Sequence, residues 1–374
     1  MTNSAISVPM GNLHAQYLEL KDSIDEAIRR VIKTSAFIRG PEVDAFESAF
    51  AHEVGVDHCV SCANGTDSLY IALVALGVKP GDEVIVPAMS WISTSETVSQ
   101  ARARVVFCDI DPKTFTLDPE KLAACLTERT VGIIPVHLYG HPADMEPILN
   151  IAAENDLWVI QDTAQAHLAK YRGHPLAGLG SATSYSFYPG KNLGAMGDAG
   201  AVVTNNADLA AHMAKFARHG GLKKGDHEIE GINSRLDGLQ AAILSAKLPQ
   251  LQTWTDRRRA IAAEYIDRLS GLPGLDLPNE ADWAEHVWHL FVVRHQNRDD
   301  FAKQLKADGV ASSVNYPCAL PFLPCYAEWN HTFNEFPVAY RLSQEGLSLP
   351  LYPELTQTQI DHVVNSVKAA AYAS

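Results

Sequence analysis

Long apolar runs are missing from this chain, and so are runs of one charge. Its most apolar stretches, such as Leu69–Val78, are too short to cross a bilayer, so no membrane span is expected. The densest basic cluster, Arg257-Arg258-Arg259, reads as one solvated helix face. Formal net charge is −14, from 30 basic and 44 acidic residues. No nucleic-acid partner is therefore expected, and an anionic substrate needs local positive groups to reach its site against that field. The N-terminus lacks a positive region ahead of an apolar core, so no secretory signal is expected. Cysteine is sparse and scattered: Cys59, Cys62, Cys108, Cys125, Cys318 and Cys325. Cys59 and Cys62 form a C-x-x-C, but in an extended run a spacing of three sends the two sulfurs to opposite faces. They read as small buried residues rather than a redox or zinc pair, and no metal is expected. Scattered cysteines fit a reducing compartment, which makes the cytoplasm the expected location. Internal repeats and low-complexity segments are absent from the sequence as well.

What is there is ordinary globular material. Hydrophobic residues make up 47% and charged residues 20%, which excludes a disordered chain, and 374 residues are enough for about two domains. The first half alternates helix and strand signals. Asn64-Gly65-Thr66-Asp67 precedes apolar positions at helical spacing, and strands are predicted at Glu83–Pro87, Arg104–Asp109, Val131–Val136 and Leu157–Gln161, with a helix over Asp144–Asn155. These strands are short, β-branched and unalternating, as expected when helices cover both faces. An α/β fold with a largely parallel sheet follows, with ligands at the carboxyl ends of its strands. A long helical pattern is predicted over Leu236–Leu269. Beyond it come a strand at His286–Arg294, a helix at Asp299–Asp308, a strand at Val314–Tyr316 and a last helix at Thr356–Ala371. The expected division is a large domain over residues 1–250 and a smaller α+β domain over 251–374.

One segment is chemically unusual. Ser184 to Tyr188 alternates small polar with large aromatic residues, so it reads as a strand with Tyr185 and Phe187 on one face and Ser184 and Ser186 on the other. Pro189-Gly190 stops that strand and hands Lys191 to a glycine-flanked loop, a sensible way to present an amine to a bound carbonyl. Asp162 closes the preceding apolar strand. Taken alone it fits a helix N-cap, as a lone lysine fits a solvated surface. Together they match what pyridoxal phosphate needs: a lysine for its aldehyde and an acid for its pyridinium nitrogen. Gly65 and Thr66 open a helix whose free N–H groups attract anions, and Ser186 offers a second hydroxyl to the same phosphate. Trp91 lies on a ligand-side loop, where an aromatic can stack on the ring. Gln165 is placed to meet the ring's phenolic oxygen, while His167 reads as structural.

At these residues the chain resembles the DegT/DnrJ/StrS group of sugar aminotransferases, which have the aspartate-aminotransferase fold (fold type I). The resemblance runs through Phe37-Ile38-Arg39-Gly40-Pro41, Asn64-Gly65-Thr66-Asp67, Pro80 to Pro87, Asp109-Ile110-Asp111-Pro112, Gln161 to His167, Ser186 to Gly200, Asn233 to Asp237 and Leu347-Ser348-Leu349-Pro350. It implies that Lys191 is the Schiff-base lysine and Asp162 the pyridinium partner. Gln165 then takes the phenolic oxygen, Trp91 stacks on the ring, and Gly65, Thr66 and Ser186 hold the phosphate. It further implies that Asn233 reaches the phosphate from a neighbouring subunit of a homodimer, and that Arg235 meets an anionic part of a substrate. The implied reaction moves an amino group from glutamate or glutamine, through the pyridoxamine phosphate form, to a keto group of a nucleotide-linked sugar at carbon 3 or 4. The chain departs from many members by carrying Asn315-Tyr316-Pro317 where they have His-Tyr-Pro, near the expected sugar. The Tyr188-to-Ala195 run is similar to members that aminate carbon 3. Two rivals stand beside this reading. One is a sugar dehydratase of the same fold, whose relatives replace the lysine with histidine. The other is a regulatory protein that uses the fold without catalysis, which should have lost part of the lysine, aspartate and phosphate set.

Overall fold

The computed structural model describes residues 6–223 and 225–373. Its frame is a seven-stranded sheet built from β1 (His58–Cys62), β2 (Glu83–Pro87), β3 (Arg104–Cys108), β4 (Thr130–Ile133), β5 (Trp158–Asp162), β6 (Ala182–Ser186) and β7 (Gly200–Thr204), in the order β1-β7-β6-β5-β4-β2-β3. Within this sheet β7 runs against both its neighbours, and the remaining pairs are parallel. β2, β6 and β7 are buried along their whole length, as strands covered on both faces must be. The helix Gly65–Ala75 lies on the sheet with Leu69, Ile71, Ala72 and Leu73 buried. Tyr185 and Phe187 point to the opposite side, where both rings meet Phe50 at 5.0 Å. Cys59 and Cys62 likewise fall into different apolar clusters, on opposite faces of β1. Among the described residues no helix is long and apolar enough to cross a membrane.

A second sheet, β8 (Leu275–Asp276), β9 (Phe291–His295) and β10 (Gly346–Leu349), is antiparallel. It shares a core with the helices Leu251–Leu269, Arg298–Ala307 and Gln357–Ala373, and Val8 from the N-terminal segment inserts into that core.

Four sequence expectations need correcting. Arg257-Arg258-Arg259 is not one solvated face: Arg258 points inward and is buried, its Nη1 donating to the Leu351 carbonyl at 2.9 Å. The helical stretch predicted over Leu236–Leu269 is two helices, Gly238–Lys247 and Leu251–Leu269, joined by a 3-10 turn containing Pro249, which has no N–H for a continuous helix. The strand predicted from His286 begins at Phe291. The residues before it spend their backbone groups elsewhere, Val287 N–H on Gly140 O at 3.1 Å and Leu290 N–H on Tyr139 O at 3.2 Å. No strand forms at Val314–Tyr316, where Ser313 makes a single bridge to Ser348 and the Asn315 carbonyl accepts from the Tyr139 hydroxyl.

Candidate active site

Five parallel strands deliver their carboxyl ends to one cavity of about 420 Å³. The turn after β1 brings Asn64, Gly65 and Thr66; the loop after β2 brings Ser90, Trp91 and Ser93; the segment after β4 brings Val136. β5 ends in Asp162 with Ala164 and Gln165 beyond it, and β6 ends in Ser186 with Tyr188 and Lys191 beyond it. Tyr316 arrives from the C-terminal part and Asp198 from just before β7. Chemistry gathered at strand ends is where an open α/β sheet binds ligands.

Register explains the closest approach. Gly200 of β7 pairs with Cys62 on one side and Ser186 on the other, so the turn leaving β1 crosses toward Ser186. A Cβ on Gly200 would lie 2.3 Å from the Asn64 carbonyl, and a Cβ on Gly65 would lie 2.6 Å from the Ser186 Cβ. Only glycine fits at either position. Asn64 caps the helix by accepting from Asp67 N–H at 2.8 Å, which leaves the first-turn amides of Gly65 and Thr66 without intrahelical partners. Gly65→Ala drives the helix start away from Ser186. It should weaken pyridoxamine phosphate binding about 10- to 100-fold, the loss of one charge-assisted hydrogen bond, as read by fluorescence titration.

Asp162 is buried, and burial pushes its carboxyl above the ordinary range. Opposing that shift, Thr94 donates to Oδ2 at 2.9 Å, the Ala164 N–H donates to Oδ1 at 3.2 Å, and the charge of Lys191 lowers it further. Ser90 lies 2.8 Å from the Thr94 hydroxyl and completes a hydroxyl relay to the carboxylate. The turn beyond Asp162 does not continue as a helix, so its carboxylate is not a helix cap. Lys191 is pushed down to about 8 by burial, with Asp162 pulling it partly back. An amine at that value is mostly neutral above pH 8. Competitive acetylation of the apoprotein should therefore show Lys191 reactivity rising about tenfold from pH 7 to 9 and flattening, where an ordinary lysine gains about a hundredfold over that span.

Gln165 is fixed at both ends of its amide: Oε1 accepts from Tyr139 N–H at 2.7 Å and Nε2 donates to the Tyr316 hydroxyl at 2.9 Å. The Trp91 and Tyr316 rings, both lining the cavity, pack tilted at 45° with centroids 5.5 Å apart. Thr66 pairs its hydroxyl with Ser93 at 2.6 Å. His167 packs on Tyr185 and Phe187 at 5.4 and 5.7 Å and is pushed down to about 3 by burial and then by Lys191, so it is a neutral packing residue.

Gly65, Thr66, Trp91, Asp162, Gln165, Ser186, Lys191 and Tyr316 thus share one cavity. Asn233, Arg235 and Asn315 do not line it. Asn233 is exposed, and the Asn315 carboxamide accepts from Ser313 at 2.6 Å and Ser348 at 2.9 Å. Sequence reasoning missed Ser90, Ser93 and Thr94. Their signal was a hydroxyl-rich stretch, Ser90 to Thr97, in which Ser90, Ser93, Thr94, Ser95 and Thr97 are all buried.

The DegT/DnrJ/EryC1/StrS aminotransferase family matches residues 19–368. The chain belongs to that family. It is 43% identical, over 98% of its length and 100% of the relative's, to the erythromycin biosynthesis sensory transduction protein EryC1 of Saccharopolyspora erythraea. It is 42% identical, over 96% of its length and 95% of the relative's, to the dTDP-3-amino-3,4,6-trideoxy-alpha-D-glucose transaminase of Streptomyces venezuelae. Among solved structures it matches DesV of S. venezuelae, in complex with a ketimine intermediate, at a TM-score of 0.96 with 42% identity, covering 98% of each chain. The fold is that of the fold type I aminotransferases, as the sequence resemblance implied. Pyridoxal phosphate, the cofactor the family implies, makes three demands, and this cavity meets each. Helix amides and hydroxyls gather at one wall for a dianion, a buried carboxylate awaits a ring nitrogen, and an amine near neutrality awaits an aldehyde.

Proposed function

We propose that this protein transfers an amino group from glutamate or glutamine to the keto carbon of a nucleotide-linked deoxysugar, at carbon 3 or carbon 4, in amino-sugar biosynthesis. The observation that carries this reading is the convergence of Lys191, Asp162 and the Gly65–Thr66–Ser186 cradle on one cavity. The 42% identity to a transaminase acting on a 3-amino sugar supports the carbon-3 form. Pyridoxal phosphate, when bound, supplies the electron sink and carries the amino group. The first-turn amides of Gly65 and Thr66, with the Ser186 hydroxyl, hold its phosphate. Asp162, aligned by Thr94, keeps a positive ring nitrogen charged. Gln165, locked between Tyr139 and Tyr316, orients the ring edge, while Trp91 and Tyr316 exclude water from the mouth. Lys191 holds the cofactor at rest and afterwards moves a proton at its Nζ.

The partner we propose is a second copy of this chain. Among the described residues no arginine lines the cavity and Lys191 is its one lysine, yet both substrates carry negative charge. Exposed Asn233 and half-buried Arg235 belong to a segment tied to Phe37 and Ile38, through the Ile38–Asp237 bridge and the Gly238 N–H to the Phe37 carbonyl. Phe37, Ile38 and nearby Met196 expose 43%, 53% and 42% of their surface. Apolar side chains left bare beside polar groups mark an interface, and a twofold partner would bring Asn233 to the opposite cavity. Mixing Lys191→Ala with Asn233→Ala subunits should then restore activity above either parent, because each mixed dimer rebuilds one intact site.

The test is incubation with glutamate and a panel of nucleotide-linked 3-keto and 4-keto sugars, with the product identified by mass and NMR. An amino sugar formed in step with 2-oxoglutarate supports the reading. A deoxygenated sugar without 2-oxoglutarate would favour the dehydratase, and a protein that stays colourless with pyridoxal phosphate would favour the regulatory alternative.

A further inference from the structure

The loop that presents Lys191 is held from behind by residues distant in the chain. Lys247, the last residue of the helix Gly238–Lys247, is only 3% exposed. Its Nζ donates to the Gly194 carbonyl at 2.7 Å and to Gln16 Oε1 at 3.1 Å. Gln16 donates in turn toward Glu354 at 3.5 Å. A buried ammonium costs free energy unless its protons are bonded. Burial pushes Lys247 down to about 8 and the Glu354 charge draws it back, so it remains a cation at neutral pH. A leucine or methionine here would avoid that cost, and would leave the Gly194 carbonyl without its donor.

Gly194 lies three residues after Lys191, where the loop turns back on itself. Lys191 N–H bonds to the Tyr188 carbonyl and Ala195 N–H to the Phe187 carbonyl, each at 2.8 Å. A Cβ on Gly194 would fall 2.2 Å from the Pro189 carbonyl oxygen, so the two limbs touch. On the near side, Asn192 donates to the Val287 carbonyl at 3.2 Å and meets His289 Nδ1 at 3.0 Å. Arg258 steadies the same stretch through the Trp288 and His289 carbonyls at 3.2 and 3.3 Å. Lys247 is the charged side chain that grips the loop backbone directly.

We propose that Lys247 is a positioning residue for Lys191: by holding the Gly194 carbonyl it fixes the loop from which the Lys191 amine reaches the cofactor aldehyde. This rests on the reading of Lys191 as the cofactor-bearing lysine. A misplaced reacting group costs rate even when distant contacts are intact, about 10- to 100-fold for a shift near 1 Å.

The experiment compares wild type, Lys247→Met and Lys247→Gln as full-length apoprotein. Two quantities are read: the rate at which Lys191 captures pyridoxal phosphate, by absorbance, and the affinity for pyridoxamine phosphate, which needs the cradle and Asp162 but not the Lys191 amine. Lys247→Met should slow capture about 10- to 100-fold while pyridoxamine phosphate affinity stays within about twofold. Lys247→Gln, which keeps a shorter donor, should fall between. Capture by folded Lys247→Met at the wild-type rate overturns the proposal, and so does equal loss of capture and pyridoxamine phosphate affinity. Should Lys247→Met fail to fold, Lys247→Gln decides by the same comparison, slower capture with intact affinity supporting the proposal and an unchanged rate overturning it. Wild-type protein that captures no pyridoxal phosphate overturns the reading of Lys191 and this inference together.

Discussion

Lys191→Ala should lower transamination by about 10⁴-fold or more, because one side chain supplies both the attachment point and the proton transfer, and general acid–base catalysis alone contributes about 10²- to 10⁴-fold. The variant should lose the yellow absorbance of the lysine-linked cofactor. It should still bind pyridoxamine phosphate, since Gly65, Thr66, Ser186 and Asp162 line the cavity independently of it. Single-turnover kinetics with added pyridoxamine phosphate and a keto sugar separate the two losses. Turnover of the alanine variant at the wild-type rate would remove Lys191 from the mechanism.

Asp162→Asn should lower kcat by about 10²- to 10⁴-fold with cofactor still bound. The carboxamide keeps the shape, with its oxygen still accepting from the Ala164 N–H and its NH2 donating to the Thr94 hydroxyl, but it has no negative charge to keep a ring nitrogen protonated. Stability should move the other way. The carboxyl of Asp162 is raised in the folded state by burial. A raised acid binds more protons folded than unfolded, so its ionised form weakens the fold at pH values above the ordinary carboxylate range, and this penalty fades as pH falls. The apoprotein of Asp162→Asn should therefore melt at or above the wild-type temperature at pH 7 while being nearly inactive. A lower melting temperature together with intact kcat would mark Asp162 as a structural cap. That residue would then carry stability at the expense of no chemistry, the reverse of the present assignment.

The sheet and the chemistry were legible to different degrees. Strand β2 was readable end to end because Glu83–Pro87 is short, β-branched and closed by a proline. Lys191 and Asp162 were readable because each follows a strand and is set off by residues that stop it. The partners of those groups were not. Thr94 lies 68 residues from Asp162, and Tyr139 is 26 residues from Gln165. Contacts of that range depend on which strand ends converge, and residue spacing carries no record of it. The reversed strand β7 was also hidden, although its Gly200 decides how the β1 turn meets Ser186. The failed strand at Val314–Tyr316 has the same origin. Its β-branched start and tyrosine suit a strand, but Asn315 is taken up by Ser313, Ser348 and Tyr139. The helix break at Pro249 was open to sequence reasoning, since an interior proline removes a helix hydrogen bond. Asn192 sits beside Lys191 in plain view, yet its role appears only once Val287 and His289 are brought against it.

The measurement that bears most directly on this account is borohydride reduction of the protein with pyridoxal phosphate, followed by peptide mass mapping. The account predicts the cofactor on Lys191, with label lost from that peptide in Lys191→Ala. Stable label on a different lysine, with Lys191 unmodified, would contradict it.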